Sequence, residues 1–230
     1  MKQGAIKGIK FFYRENTSDL KTFEEVIGKN VYQKKGMAIE KGEHWIDCGG
    51  NVGAFTLLAC SLGAKVTTYE PDPNNCEMIR KNLKLNGFAA DVVCAGLVHN
   101  NVKKINLYVG NNGNVWRNSM FKNWNGKGIK VDCVNFDEVV PDGVCVKIDI
   151  EGAEMPILEN TKRVFKKLVF EWSFDIDPSL PRFWNIIEKL EKTQKVISVG
   201  NTAKFVSRDY DTWQKSWFPA CTNVFCYEKN

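Results

Sequence analysis

The sequence predicts an α/β fold of Rossmann-like type, a mostly parallel sheet with helices on both faces. Three observations carry this. Short apolar runs alternate with helix-like stretches along most of the chain, the pattern of successive βαβ units. One run ends in the glycine-rich turn Asp47-Cys48-Gly49-Gly50-Asn51-Val52-Gly53, which opens straight into an apolar helix-like stretch. The next run, Lys65-Val66-Thr67-Thr68-Tyr69, closes on the carboxylate of Glu70. Ligands of open α/β sheets bind beyond the carboxyl ends of the strands, which is where this turn and this carboxylate fall.

Taken in order, residues 1–43 are polar and mixed, with one helix-like stretch over 18–27. Ser18 or Asp19 is a candidate N-cap, and Phe23, Val26 and Ile27 share a face. This stretch reads as an N-terminal helical lid, with 44–230 forming one Rossmann-like domain. A strand over 44–47 leads into a helix over 54–62, and a strand over 65–70 into a helix over 74–86. A strand over 91–97 follows, then a hairpin over 103–109 and an Asn/Gly-rich loop. Strands over 129–134 and 144–150 precede a helix over 154–161, a strand over 168–173 and a helix over 181–192. Two late strands, 195–199 and 223–228, complete the order, with one antiparallel member expected in that pair.

The turn indicates the ligand. A carboxylate at a strand tip can accept two hydrogen bonds from a ribose diol, and glycines let backbone approach a ligand where a Cβ would not. A dinucleotide site calls for G-x-G-x-x-G facing a pyrophosphate. Here the glycines stand at 49, 50 and 53, and the acid Asp47 sits just inside the turn. An anion beside a diphosphate is repelled, whereas beside the ammonium and sulfonium of S-adenosylmethionine it is attracted. The expected cofactor is S-adenosyl-L-methionine rather than NAD. The expected contacts are Asp47, Gly49, Asn51, Gly53, Glu70, Pro71, Asp72 and Ala95. The bland alternative, a glycine-rich turn with no ligand, does not account for Glu70.

With 230 residues the chain has the length of one α/β domain with additions, and 43% hydrophobic residues suffice for a sizeable core. The net charge of +5 is mildly basic, but lysines cluster only at 34–35, 103–104 and 166–167, a weak footprint for a nucleic-acid partner. The eight cysteines form no C-x-x-C pair, and only His44 and His99 are available to complete a zinc site. Most lie in apolar runs, where a thiol behaves as a small hydrophobe, so a reducing compartment and no structural metal are expected. No run reaches the ~20 apolar residues of a membrane span, and the start Met1-Lys2-Gln3-Gly4-Ala5-Ile6 lacks a signal-peptide core. The expected location is cytoplasmic.

Four separated segments resemble the FkbM family of S-adenosylmethionine-dependent methyltransferases. They are Trp45 to Gly53, Tyr69-Glu70-Pro71-Asp72-Pro73, Val131 to Glu138, and Val146-Lys147-Ile148-Asp149-Ile150-Glu151-Gly152-Ala153-Glu154. The last is the most specific, since K-I-D-x-E-G-A-E after a buried strand is the family's hallmark. Arg14, Thr17-Ser18-Asp19 and Tyr32 resemble its N-terminal pattern, and the likeness covers about 14–175. Cys48 and Gly50 stand where the family often has small apolar residues. Glu171-Trp172-Ser173 lacks the histidine often found after that strand. The resemblance implies a seven-stranded class I methyltransferase fold and methyl transfer.

An alcohol hydroxyl attacks poorly unless a base or metal helps it, and aligning the acceptor supplies much of the rest. Asp149 and Glu151, two apart, share a face at the end of an apolar strand. With Glu171 they are the candidate catalytic residues, and Asp175, Asp177 and His99 stand behind them. Glu154 also reads as an ordinary helix-start acid. The acids could hold one Mg²⁺, but a metal is not required by the pattern. Trp116 and Trp124 in the Asn/Gly loop could stack on a sugar or pack on the sheet edge. Trp213, Trp217 and Phe218 form a second aromatic group, and Phe183 and Trp184 read as core. The expected acceptor is a sugar or glycan hydroxyl. RNA, a small natural product, or binding without catalysis are the alternatives. Against RNA stand the lack of a base-flipping N/D-P-P-Y motif and of a basic appendage.

Overall fold

The computed structural model describes residues 1–33, 36–110, 118–120, 122–123, 128–173, 176–199 and 221–229. Its centre is a seven-stranded sheet built from β3 (His44–Cys48), β4 (Lys65–Tyr69), β5 (Asp91–Val93), β9 (Cys145–Ile148), β10 (Lys167–Ser173), β11 (Gln194–Val199) and β12 (Cys221–Glu228). The spatial order is β11-β12-β10-β9-β3-β4-β5. Only β12 is reversed, pairing antiparallel with both β10 and β11, so the late pair contains the one antiparallel member expected. The central strands β3 and β9 are buried along nearly their whole length, as a parallel sheet covered on both faces requires. Two side chains break that apolar rule. Asp47 on β3 and Lys147 on β9 stand opposite each other in register.

Helices cover both faces. On one side α2 (Ala54–Ser61) and α3 (Pro73–Asn86) pack with Trp45, Val66 and Val169. On the other, α5 (Glu154–Asn160) and α6 (Leu180–Leu190) pack with Ile46, Val146 and Phe170. Phe183 and Trp184 are core residues as expected, Phe183 stacking on Trp172 with centroids 4.1 Å apart. Among the described residues no helix is long and apolar enough to cross a membrane.

The N-terminal segment differs from its prediction. It opens with a hairpin, β1 (Lys2–Ile6) and β2 (Ile9–Tyr13), where only polar sequence was read. β1 carries few apolar residues and is largely exposed, so no alternation betrayed it. The helix-like stretch becomes a short α1 (Asp19–Phe23) running into a π-helical turn, Glu24–Gly28. Neither proposed N-cap caps α1. Ser18 makes no side-chain cap bond, and Asp19, fully buried, folds back to receive a bidentate bond from Arg14 at 2.8 and 2.9 Å. The hairpin is fastened to α3 by two asparagines, Asn82 Oδ1 accepting from the Phe12 amide and Asn86 Oδ1 from the Lys10 amide.

The strand expected over 91–97 is broken. After β5 the chain turns at Cys94-Ala95, where the Ala95 amide reaches back to the Val93 carbonyl, and β6 (Gly96–Val98) leaves the main sheet. It joins β8 (Gly128–Asn135) and β7 (Lys104–Tyr108) in a separate three-stranded sheet. The predicted hairpin over 103–109 is therefore a single strand whose antiparallel partner is β8. A one-turn helix α4 (Phe136–Val139), capped by the Asn135 side chain, was not foreseen. Cys76 on α3 and Cys94 after β5 are joined, with Cα atoms 6.0 Å apart, against the expectation of free thiols. Cys48, Cys60, Cys133, Cys145 and Cys226 are free. Burial pushes the Cys145 thiol up to about 12, so it acts as a small hydrophobe.

Candidate active site

A cavity of about 710 Å³ opens at the carboxyl ends of β3, β4, β9 and β10, within the range of roughly 300–1,000 Å³ common for ligand pockets. The residues predicted to bind the cofactor divide into two groups. Gly49, Asn51, Glu70 and Pro71 line the cavity. Asp47, Gly53, Asp72 and Ala95 stand behind it. The three candidate catalytic acids, Asp149, Glu151 and Glu171, all line it.

Asp47 does not line the cavity. It is fully buried, accepts from the Thr56 hydroxyl at 2.7 Å, and its other oxygen lies 3.2 Å from Lys147 Nζ. The attraction to a cationic donor assigned to it from the sequence is instead spent on a protein cation. Asp72 caps α3 through the Asn74 amide and accepts from Asn118, Gly53 begins α2, and Ala95 occupies the turn before Gly96. The glycine argument also changes. A Cβ on Gly49 would lie 1.9 Å from the Asp149 carbonyl oxygen, and one on Gly50 2.4 Å from Thr68 Oγ1. These positions are glycine because neighbouring protein crowds them, and Gly49 has φ +87° as well.

Lys147 stood in the hallmark motif but was assigned no role from the sequence. Its Nζ donates to the Gly49 carbonyl at 2.7 Å and faces both Asp47 and, at 3.8 Å, Asp149. Burial lowers its pKa, but those two carboxylates outweigh burial and leave it above the ordinary lysine value. A lysine inside an apolar strand could have been noticed, because a buried cation demands a partner on the adjoining strand. Tyr32 closes this cluster from the N-terminal segment, its hydroxyl donating to Asp149 Oδ2 at 2.6 Å. Burial, then the charges of Asp149 and Glu171, raise the Tyr32 pKa well above its usual value, so it remains a donor.

Beyond β9 the backbone is unusual. Glu151 has φ +53° and Gly152 φ +115°. Glu154 holds them, its carboxylate accepting from the Ile150 amide at 2.6 Å and the Gly152 amide at 2.7 Å. The helix-start reading of Glu154 is thus close to the truth, with the added task of fixing the loop that presents Glu151. Asp177 is committed to Arg182 at 2.5 Å and to the Ser179 amide, and His99 is exposed, so neither lines the cavity. Asp175, Trp116, Trp124, Trp213, Trp217 and Phe218 lie outside the described residues.

Glu70 is nearly buried at the tip of β4. Its oxygens accept from the Asn51 amide at 2.7 Å and the Asp72 amide at 2.9 Å. Burial pushes its pKa up to about 7 despite those donors. The neighbouring Asn51 Oδ1 is buried with no partner among the described residues. A carboxylate and an orphan amide oxygen on two residues that line one cavity fit a ligand that brings hydroxyl donors, as the ribose of an adenosine cofactor does. A prediction follows from the sign of the shift. A ribose diol donates to the ionised carboxylate, so binding must expel a proton below pH 7. S-adenosylhomocysteine should bind about 10-fold more weakly at pH 6 than at pH 8, and the dependence should vanish in Glu70→Gln. Calorimetry showing a flat profile in the unaltered protein would remove this role. Glu154, also raised to about 7 by burial, contributes with Glu70 a stability that is lost as pH rises through 7. That effect acts on unfolding and is separable from ligand affinity.

The fold, the glycine turn and the carboxylate at the tip of β4 fit a class I S-adenosylmethionine-dependent methyltransferase. The sequence matches the methyltransferase FkbM domain over residues 47–195, well over half its length, and the chain belongs to that family. S-adenosylmethionine is its cofactor. When bound, it supplies an electrophilic methyl group on a sulfonium. A comparison with curated proteins gives no significant sequence match. Among solved structures, the Pyrococcus abyssi tRNA (uracil-54, C5)-methyltransferase in complex with S-adenosyl-L-homocysteine is similar, with TM-score 0.52 and 13% identity. The alignment covers 98% of this chain and 43% of that one, so this chain spans less than half of it. Methanocaldococcus jannaschii Trm5 in complex with adenosine aligns with TM-score 0.51 and 11% identity over 100% of this chain and 55% of that one. At such identities the likeness is one of fold.

Proposed function

We propose that the chain is an O-methyltransferase acting on a hydroxyl of a sugar or glycan. The observation that supports this best is the gathering of Asp149, Glu151 and Glu171, whose ligand oxygens lie within 4.8 Å of one another, in the cavity that Glu70 also lines. In this reading Glu70 and Asn51 hold the ribose, and Pro71 and the backbone of Gly49 border the donor. Asp149 and Glu151, supported by Glu171, position the acceptor hydroxyl and take its proton. Tyr32 and Lys147 fix the orientation of Asp149. The N-terminal segment acts as a lid through Tyr32. An acidic acceptor side suits a neutral polyol and repels a phosphate backbone, which weighs against RNA. The mostly buried free thiols fit a cytoplasmic setting, although the joined Cys76 and Cys94 do not share that argument.

The experiment is transfer from methyl-labelled S-adenosylmethionine to a panel of saccharides and RNAs, read by mass spectrometry. The expected result is label on a saccharide oxygen. Label on RNA alone, or on no hydroxyl, would sink the acceptor assignment. Within this reading, alanine at Trp116 or Trp124 should raise the saccharide's KM several-fold and leave donor affinity unchanged. Equal loss of both, or a lowered Tm with neither kinetic change, would instead identify the indoles as packing groups.

A further inference from the structure

The acceptor end of the cavity holds more than three acids. Ser173 Oγ and Asn223 Oδ1 are buried, line the same cavity, and have no hydrogen-bond partner among the described residues. Their residues are 4% and 6% exposed. The strand register explains why they meet Glu171. Glu171 on β10 stands directly opposite Asn223 on β12, and Ser173 lies two residues along β10, so all three side chains share one face of the ladder. Buried oxygens of native proteins are almost always matched, so two unmatched ones on residues that line one cavity point to a ligand.

We propose that Asp149, Glu151, Glu171, Ser173 and Asn223 bind one divalent cation. The three carboxylate oxygens lie within 4.8 Å of one another, a span that a single ion with ligands at roughly 2.0–2.6 Å can bridge. Every donor is oxygen: three carboxylates, a hydroxyl and an amide carbonyl. That set selects a hard ion, Mg²⁺, Mn²⁺ or Ca²⁺, over zinc, which favours nitrogen and sulfur. Asp149 Oδ2 accepts from the Tyr32 hydroxyl at 2.6 Å, which fixes the orientation of that carboxylate.

The use of this site rests on the hydroxyl-acceptor reading. The ion would hold the acceptor's oxygen and lower the pKa of its proton. The O–H bond breaks with its proton leaving to a carboxylate or to solvent, and the O–CH₃ bond forms as the S–CH₃ bond breaks. The acids then act as ligands first and as bases second.

The test needs only the metal. The full chain, freed of metal with EDTA and dialysed, is titrated with MnCl₂ by calorimetry and by electron paramagnetic resonance, with MgCl₂ and CaCl₂ as competitors. One site per chain is expected, with Kd below about 1 mM. Glu171→Gln and Glu151→Gln should each weaken it at least about 10-fold, as loss of one charged ligand does, and Asn223→Ala by a smaller factor. Glu138→Gln, an exposed acid elsewhere, should change nothing. Using both glutamate variants protects the test against one of them failing to fold. No saturable binding, or equal binding in wild type and both variants, overturns the proposal. Absent binding with saccharide methylation intact overturns the cation site alone. Binding without transfer to any saccharide upholds the site and overturns the acceptor reading.

Discussion

Replacing Glu70 by alanine should weaken S-adenosylhomocysteine binding by about 30- to 700-fold. Two ribose hydroxyls donating to one carboxylate would each contribute about 1.5–3 kcal/mol if that carboxylate were fully charged. Two facts reduce the sum. The carboxylate already accepts from the Asn51 and Asp72 amides, and at neutral pH it is half protonated. A net loss of about 2–4 kcal/mol remains, which gives the stated range at ~1.4 kcal/mol per tenfold. Alanine also strips two amides of their acceptor, so Glu70→Gln is the needed companion, since it keeps the shape and loses the charge. Calorimetric affinity unchanged in both variants would remove Glu70 from the ribose site.

The second large effect belongs to Asp149. Asp149→Asn should lower turnover by about 10²–10⁴, the usual contribution of a positioned proton acceptor, with donor affinity nearly intact. Asparagine retains an oxygen to accept from the Tyr32 hydroxyl, so the loop keeps its shape while the charge is lost. Loss through a missing metal ligand predicts the same fall, and the two are separated by adding EDTA to the unaltered enzyme. Near-normal turnover in both Asp149→Asn and Glu151→Gln would show that the acids are not the working groups. The base would then be sought at Asp175, two residues past the end of β10 in the sequence.

The place of the cavity was readable from the sequence because it depends on local pattern. An apolar run, a glycine turn and a terminal acid are all written within a few consecutive residues, and Asp149, Glu151 and Glu70 follow from that. What surrounds them depends on pairing between distant strands. Asp47 meets Lys147 only because β3 and β9 are neighbours in one register, so an acid that looked available to a ligand proved to be neutralised within the protein. Asn223 reaches the site only because β12 returns antiparallel beside β10. Tyr32 was visible only as part of an N-terminal resemblance, and its role was hidden because its hydroxyl meets a residue 117 positions away. The β1–β2 hairpin was illegible for a different reason: its outer strand buries too little apolar surface to impose an alternating pattern.

The most direct test is a crystal structure of the chain with S-adenosylhomocysteine. The expected result is a single cavity divided between its two ends. The ribose hydroxyls should hydrogen-bond to Glu70, and the sulfur should face the side of the cavity bearing Asp149 and Glu171. A ligand bound elsewhere, or one whose ribose leaves Glu70 on its amide partners alone, would contradict the account.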